Sequence, residues 1–251
     1  MLILALDTTG DWGGAAVFRD DECLGVSAQR GFINYSVSLF QAVDDALEKA
    51  GLRLNEIDLF AAANGPGSFT GIRVGLAAAQ GWAHAFGKPA RGVSAFEAAA
   101  EEAQAPTPYT LSVLDARRGE FYAGLVRRVA SAPPLGAELA PGAAAVEIAS
   151  RWMEQGEGVI LKPDRILPFV HSHVPPGDGC TLTARENDPQ ACALARSLAA
   201  SLPWKPVSGF LFGAVARAAW YALRDEGRSP LPQDLSAYYV RRPDAELNWK
   251  P

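Results

Sequence analysis

The chain opens on an uninterrupted apolar run, Leu2-Ile-Leu-Ala-Leu6, closed by Asp7. A run of this kind ending on an acid predicts a central strand buried on both faces, with its carboxyl end at a site. Two more apolar stretches, Ala15–Arg19 and Cys23–Gln29, flank the polar turn Asp20-Asp21-Glu22, so the opening reads as a three-stranded meander. From Asn34 to Ala50 the period becomes helical. Leu39, Val43, Ala46 and Ala50 share one face; Phe40, Val43 and Leu47 share an adjacent one. Asn34 is the expected N-cap and Gly51 the expected C-cap. There follow a strand at Ile57–Ala63, a helix from Ser68 or Thr70 to Phe86, a strand at Ala90–Val93, and a helix capped by Ser94 that runs to Ala103.

Gln104-Ala-Pro-Thr-Pro108 interrupts this pattern and is the expected boundary between two halves. Beyond it the opening repeats. Tyr109–Asp115 is again an apolar strand ending in Asp, Ala116-Arg-Arg-Gly119 a turn, and Glu120–Arg127 the return strand. Gly142–Glu154 is expected to be helical, residues 156–185 loop-rich with short strands, Pro189–Ser201 an amphipathic helix, and Pro230–Pro251 an extended tail. Ser208–Glu226 reads as a long helix returning to the first half. The expected organisation is therefore residues 1–103 together with helix 208–226, then 109–207, then a tail at 227–251. Two βββαβα-like halves, each with an acid closing its first strand, describe the α/β actin/hexokinase/Hsp70-like (ASKHA) fold, whose strand-end turns face a central cleft.

Composition narrows the function. Apolar residues make up 49% and charged residues 20% of 251, which is ordinary for a globular protein. No run approaches the roughly 18 apolar residues of a membrane span. The N-terminus has neither a basic n-region nor a cleavage site, so no signal peptide or membrane partner is expected. Cys23, Cys180 and Cys192 are far apart and form no CxxC pair, which fits a reducing cytoplasm. The net charge of −5 lacks the basic footprint of a nucleic-acid binder.

The segment Asn64-Gly-Pro-Gly-Ser-Phe-Thr-Gly-Ile-Arg-Val-Gly-Leu76 carries the most information. Gly65 and Gly67 allow a tight turn, Pro66 fixes φ between them, and Ser68 or Thr70 caps the next helix. It is not a Walker A loop, because no Lys stands where that motif requires one. Gly71, Gly75, Ala78 and Trp82 recur at helical spacing. Periodicity alone reads this stripe as packing on the chain's own sheet.

Together MLILALDTTG, GPGSFTGIRVGLAAAQGWA, Gly92-Val-Ser-Ala-Phe96 and Leu114-Asp-Ala-Arg-Arg-Gly-Glu-Phe-Tyr122 resemble the bacterial TsaB (YeaZ-type) family. The likeness is strongest over residues 1–125, with Ser236-Ala-Tyr-Tyr-Val-Arg-Arg242 similar to the family's closing region. The resemblance implies a non-catalytic partner or scaffold subunit of the machinery that forms N6-threonylcarbamoyladenosine at position 37 of ANN-decoding tRNAs. It implies a TsaD-type paralogue as principal partner, a TsaE-type ATPase as a third subunit, self-association of the isolated chain, and tRNA held mainly by the partner. It also turns the second helix outward, making Tyr35, Leu39, Gly71, Gly75, Ala78 and Trp82 the expected partner interface. The H-x-x-x-H metal motif of the catalytic paralogue would fall at Asn34–Phe40, which contains no histidine.

Asp7, Thr8, Asp115, Arg117 and Arg118 are the candidate nucleotide or anion contacts. In active members of the superfold such acids help hold Mg²⁺ near phosphates. The alternative is that Asp7 caps its own turn and the arginines pair at the surface. No cofactor is firmly implied; the candidate is ATP or ADP at a subunit interface. No metal site is expected, since His84 is isolated and His171-Ser-His173, placed on a strand, lacks a clear third ligand. An independent ATPase or small-molecule kinase is the competing function. An M22-type peptidase ranks last, for want of metal histidines or a nucleophile elbow.

Overall fold

The computed structural model describes residues 1–30, 34–130, 150–226 and 235–241. The first sheet contains β1 (Leu2–Asp7), β2 (Trp12–Arg19), β3 (Glu22–Arg30), β4 (Leu59–Gly65) and β5 (Ala90–Ser94), in the order β3-β2-β1-β4-β5. β1 runs antiparallel to β2 and parallel to β4. α1 (Tyr35–Ala50) and α2 (Phe69–Phe86) cover one face of this sheet; α3 (Ala95–Ala103) and α6 (Phe212–Glu226) cover the other. Because both faces are covered, Leu2–Leu6 is apolar throughout rather than alternating.

The second sheet contains β6 (Tyr109–Asp115), β7 (Phe121–Ala130), β8 (Ser150–Glu154), β10 (Cys180–Arg185) and β11 (Trp204–Val207), with β9 (Val159–Leu161) also paired to β7. Its order, β8-β7-β6-β10-β11, repeats that of the first sheet strand for strand. α4 (Ile166–His173) and α5 (Pro189–Leu198) pack on its outer face. α3 lies between the two sheets. Its Phe96 packs with Val126 and Trp152 of the second lobe, and an added Cβ at Gly124 would strike the Phe96 ring. The Phe96 carbonyl accepts a hydrogen bond from Ser112 Oγ at 3.0 Å.

α6 returns to the first sheet, as its apolar stripe requires: Ala214, Val215, Ala216 and Ala219 bury against β1 and β4. Arg217 adds an ion pair to buried Glu101 of α3 at 3.0 Å. Two local expectations fail. Residues 150–154, expected at the end of a helix, form β8, because pairing with β7 overrides local preference; residues 142–149 of that helix lie outside the described residues. His171 and His173 sit on helix α4 rather than a strand, roughly 200° apart around its axis. They therefore do not share a face, and His173 stacks on Phe169.

Candidate functional site

Between the lobes lies a cleft of about 530 Å³. Thr9–Trp12 and Gly67–Ser68 bound it on one side; Leu114–Arg117, Tyr122, Arg185 and Asn187–Gln190 bound it on the other. Asp7 lies beneath its floor with 1% of its surface exposed. Thr9 wraps back over the carboxylate: its Oγ1 and its backbone N–H both donate to Asp7 Oδ1, at 2.6 and 3.0 Å. The opposite lobe supplies Arg185 from the end of β10. Its Nη1 is 3.2 Å from Asp7 Oδ2, and its Nη2 donates to Thr9 Oγ1 at 3.3 Å.

Asp115 holds the matching position in the second lobe but is only partly buried. Its Oδ1 accepts the Arg117 backbone N–H at 2.8 Å, and its own N–H donates to Asp188 Oδ2 at 2.7 Å. Arg117 and Arg118 both have left-handed backbones, with φ of 66° and 58°. The turn is closed by the Glu120 N–H on the Arg117 carbonyl at 3.1 Å and the Ala116 N–H on the Glu120 carbonyl at 2.9 Å. Left-handed φ costs little in Asn or Gly and more in Arg, so this turn holds two long cations where the cheaper residues are absent.

Of the five candidate contacts, Asp115 and Arg117 line the cleft. Thr8 instead turns toward α2, where its Oγ1 donates to the Gly71 carbonyl at 2.7 Å. Arg118 is exposed on the turn, outside the cleft lining.

The glycine-rich segment acts inside the chain. Ser68, not Thr70, caps α2, accepting the Gly71 N–H on its Oγ. The Ser68 N–H donates to the Thr9 carbonyl at 2.6 Å. A Cβ at Gly71 would collide with the Thr8 carbonyl, and one at Gly75 would lie 2.5 Å from Thr8 Oγ1. Leu39 is likewise fully buried in the core beneath α1 and α2. Leu39, Gly71 and Gly75 therefore do not present the outward groove expected of them; the glycines exist so that the β1–β2 turn can approach α2 closely. Tyr35, Ala78 and Trp82 are partly exposed.

The outer apolar surface of α1 and α2 keeps Trp82 of the expected stripe and adds residues the stripe omitted. Val37 and Phe40 of α1 are 62% and 51% exposed, and Phe86 of α2 is 37% exposed. Trp82 joins them, edge-on to Phe40 with centroids 5.7 Å apart. The available signal was an apolar pair, Val37 and Phe40, at i,i+3 spacing off the main buried face of α1. Arg185 was also missed. Its signal was a cation at the end of the alternating run Cys180–Arg185, within a region expected to be loop-rich with short strands.

A strap at residues 235–241 links the two signature segments. Tyr238 N–H donates to the Asn64 carbonyl at 2.8 Å, and Asn64 Nδ2 donates to the Ser236 carbonyl at 3.2 Å. Gly65 has φ of 118°, and a Cβ there would press on the Tyr238 carbonyl. Arg73 Nε donates to Tyr239 Oη at 3.0 Å. In the second lobe, Tyr238 Oη donates to Glu154 Oε2 at 2.9 Å, and Arg241 binds the Ala116 carbonyl and Glu120.

Two sheets of identical strand order, acids closing both first strands and a cleft between them define a protein of the actin/hexokinase/Hsp70-like α/β fold. YeaZ from Pseudomonas aeruginosa has this fold, with a TM-score of 0.66 at 21% identity over 95% of this chain and 99% of that one. The family model described as TsaD: tRNA N6-adenosine threonylcarbamoyltransferase matches residues 25–150. The tRNA threonylcarbamoyladenosine biosynthesis protein TsaB of Bacillus subtilis (strain 168) is 32% identical over 125 residues, 50% of this chain and 55% of that protein. The protein of that name from Escherichia coli (strain K12) is 35% identical over 126 residues, 49% of this chain and 53% of that protein. The chain thus belongs to the TsaB/YeaZ-type family, and it spans about half the length of the curated relatives it matches.

Proposed function

We propose that this chain serves tRNA threonylcarbamoyladenosine formation as a non-catalytic subunit that binds and activates a TsaD-type transferase. The observation that carries this reading is the exposed apolar ridge of Val37, Phe40, Trp82 and Phe86 on α1 and α2. Large apolar side chains grouped at the surface mark a protein-binding face, and a Trp–Phe pair supplies its anchors. Tyr35 and Ala78 sit at its margin. The same ridge would serve self-association when the partner is absent. The net charge of −5 fits tRNA being held mainly by the partner. A TsaE-type ATPase, and ATP or ADP at the subunit interface, complete the proposed assembly in the cytoplasm. Among the described residues, no helix is long and apolar enough to cross a membrane.

The test is co-purification with the TsaD-type paralogue, combined with reconstituted tRNA modification. Phe40→Asp lies on the surface and should leave the melting temperature nearly unchanged. It should abolish co-purification and reduce modification at least tenfold. A folded Phe40→Asp protein that still binds and supports modification overturns the proposed interface; sustained modification without any TsaD-type protein overturns the non-catalytic role.

A further inference from the structure

We infer that Arg185 is a resident cation occupying the place where a divalent metal would meet Asp7, so the cleft takes no metal at its first-lobe acid. The fold implies a metal at this position, and the residues present do not fit one. An octahedral magnesium ion needs oxygen ligands at about 2.0–2.1 Å and retains several waters. Asp7 Oδ1 is already committed to the Thr9 hydroxyl and N–H. Oδ2, the oxygen with acceptor capacity to spare, faces Arg185 Nη1 at 3.2 Å. The side chains of Asp7 and Arg185 are 1% and 6% exposed, so neither charge is screened by bulk water. A carboxylate buried this deeply requires a cation, and here the chain supplies it from the opposite lobe.

Among the described residues, the other acids facing the cleft offer no replacement ligand set. Both Asp188 oxygens cap backbone donors: Oδ1 accepts the Ala191 N–H at 2.9 Å and Oδ2 the Asp115 N–H at 2.7 Å. Asp115 is engaged by Arg117, through its N–H to Oδ1 and its guanidinium 3.6 Å from Oδ2. Asp11 is exposed at the rim. Arg185 also ties the end of β10 to the end of β1, so the pair that fills the metal position bridges the two lobes. This inference concerns the cleft and stands apart from the partner proposed for α1 and α2.

Binding of Mn²⁺ by titration calorimetry tests it. The double variant Arg185→Gln/Asp7→Asn replaces the ion pair with neutral polar side chains and is the reference. Wild type and the double variant should give superimposable Mn²⁺ isotherms. Arg185→Gln alone leaves Asp7 without its cation, and should bind Mn²⁺ at least tenfold more tightly than either. Arg185→Lys, which keeps a cation, should match wild type. Wild type binding Mn²⁺ tenfold more tightly than the double variant overturns the inference. So does a folded Arg185→Gln protein that binds no better than the double variant. If Arg185→Gln does not fold, the comparison of wild type with the double variant decides alone.

Discussion

Asp7 and Asp115 close the first strands of two sheets with the same strand order, yet they occupy opposite environments. Asp7 is sealed under Thr9 and meets Arg185 from across the cleft. Asp115 sits at the cleft wall, and its ion-pair partner Arg117, two residues on, is 81% exposed. The duplication preserves the position of the acid but not its work. One acid joins the lobes through a buried ion pair; the other shapes a local turn. Equal sequence positions therefore carry unequal energies, because the surrounding dielectric sets the strength of each interaction.

Removing one member of the buried pair should be the most damaging change. Arg185→Ala or Asp7→Ala should lose about 3–5 kcal/mol, since each leaves an uncompensated buried charge. Urea unfolding checks this, and removing both partners together should cost less than either single change. A loss below about 1 kcal/mol in either single variant would erase the contrast with Asp115.

Glu97 shows what burial does to an acid where desolvation outweighs the nearby cations. Burial pushes its carboxyl up to about 7, with the Glu154 charge adding to the effect and a Ser94 backbone hydrogen bond, Arg91 and Arg151 opposing it. The folded state then holds a proton that the unfolded chain releases. This contribution is intact below about pH 4.5 and is lost as pH rises through about 7. Glu97→Gln should therefore be more stable than wild type at pH 8 by roughly 1–2 kcal/mol, and should flatten the stability profile between pH 5 and 8, by about that amount. An unchanged profile would refute the burial effect.

Asp115→Ala should cost only about 1 kcal/mol, through loss of the acceptor for the Arg117 N–H. Its melting curve, set beside that of Asp7→Ala, measures the asymmetry between the lobes directly. Arg117→Ala should stay within about 0.5 kcal/mol of wild type, since an exposed ion pair contributes little. A larger loss would show that the turn depends on the arginine itself.

Local pattern revealed the first lobe well, for identifiable reasons. Leu2–Leu6 is too uniformly apolar to be anything but a doubly covered strand, and Gly51 ends α1 with φ of 65°. Asn34 precedes α1 as expected, but its side chain makes no capping bond; its Oδ1 accepts from the Ser36 hydroxyl at 3.3 Å. In the second lobe, the helical reading of Ser-Arg-Trp-Met-Glu gives way because β7 offers an edge to pair with. The short α4, with Pro168 inside it, presents too few turns for a period to emerge. At the candidate site, Asp7 and Asp115 were visible as strand-ending acids. Arg185 was not, because its partner Thr9 lies 176 residues away and no local spacing encodes that meeting. The inward orientation of Gly71 and Gly75 was hidden too, since helical spacing marks a face without saying what covers it.

The strap has a consequence for the order in which the molecule can be completed. Asn64 receives its side-chain partner from Ser236, 172 residues further along the chain. At about 5–20 residues per second, a ribosome needs roughly 10–35 s to bridge that interval. Until then the Asn64–Gly65 corner and the Ala116 turn lack the segment that joins them, even though both strands leading into them have long since emerged. A released chain ending before Leu235 should accordingly carry a first sheet packed under α6, with a glycine-rich corner open to proteases. In the full chain, emergence of the strap from the ribosome should close that corner late.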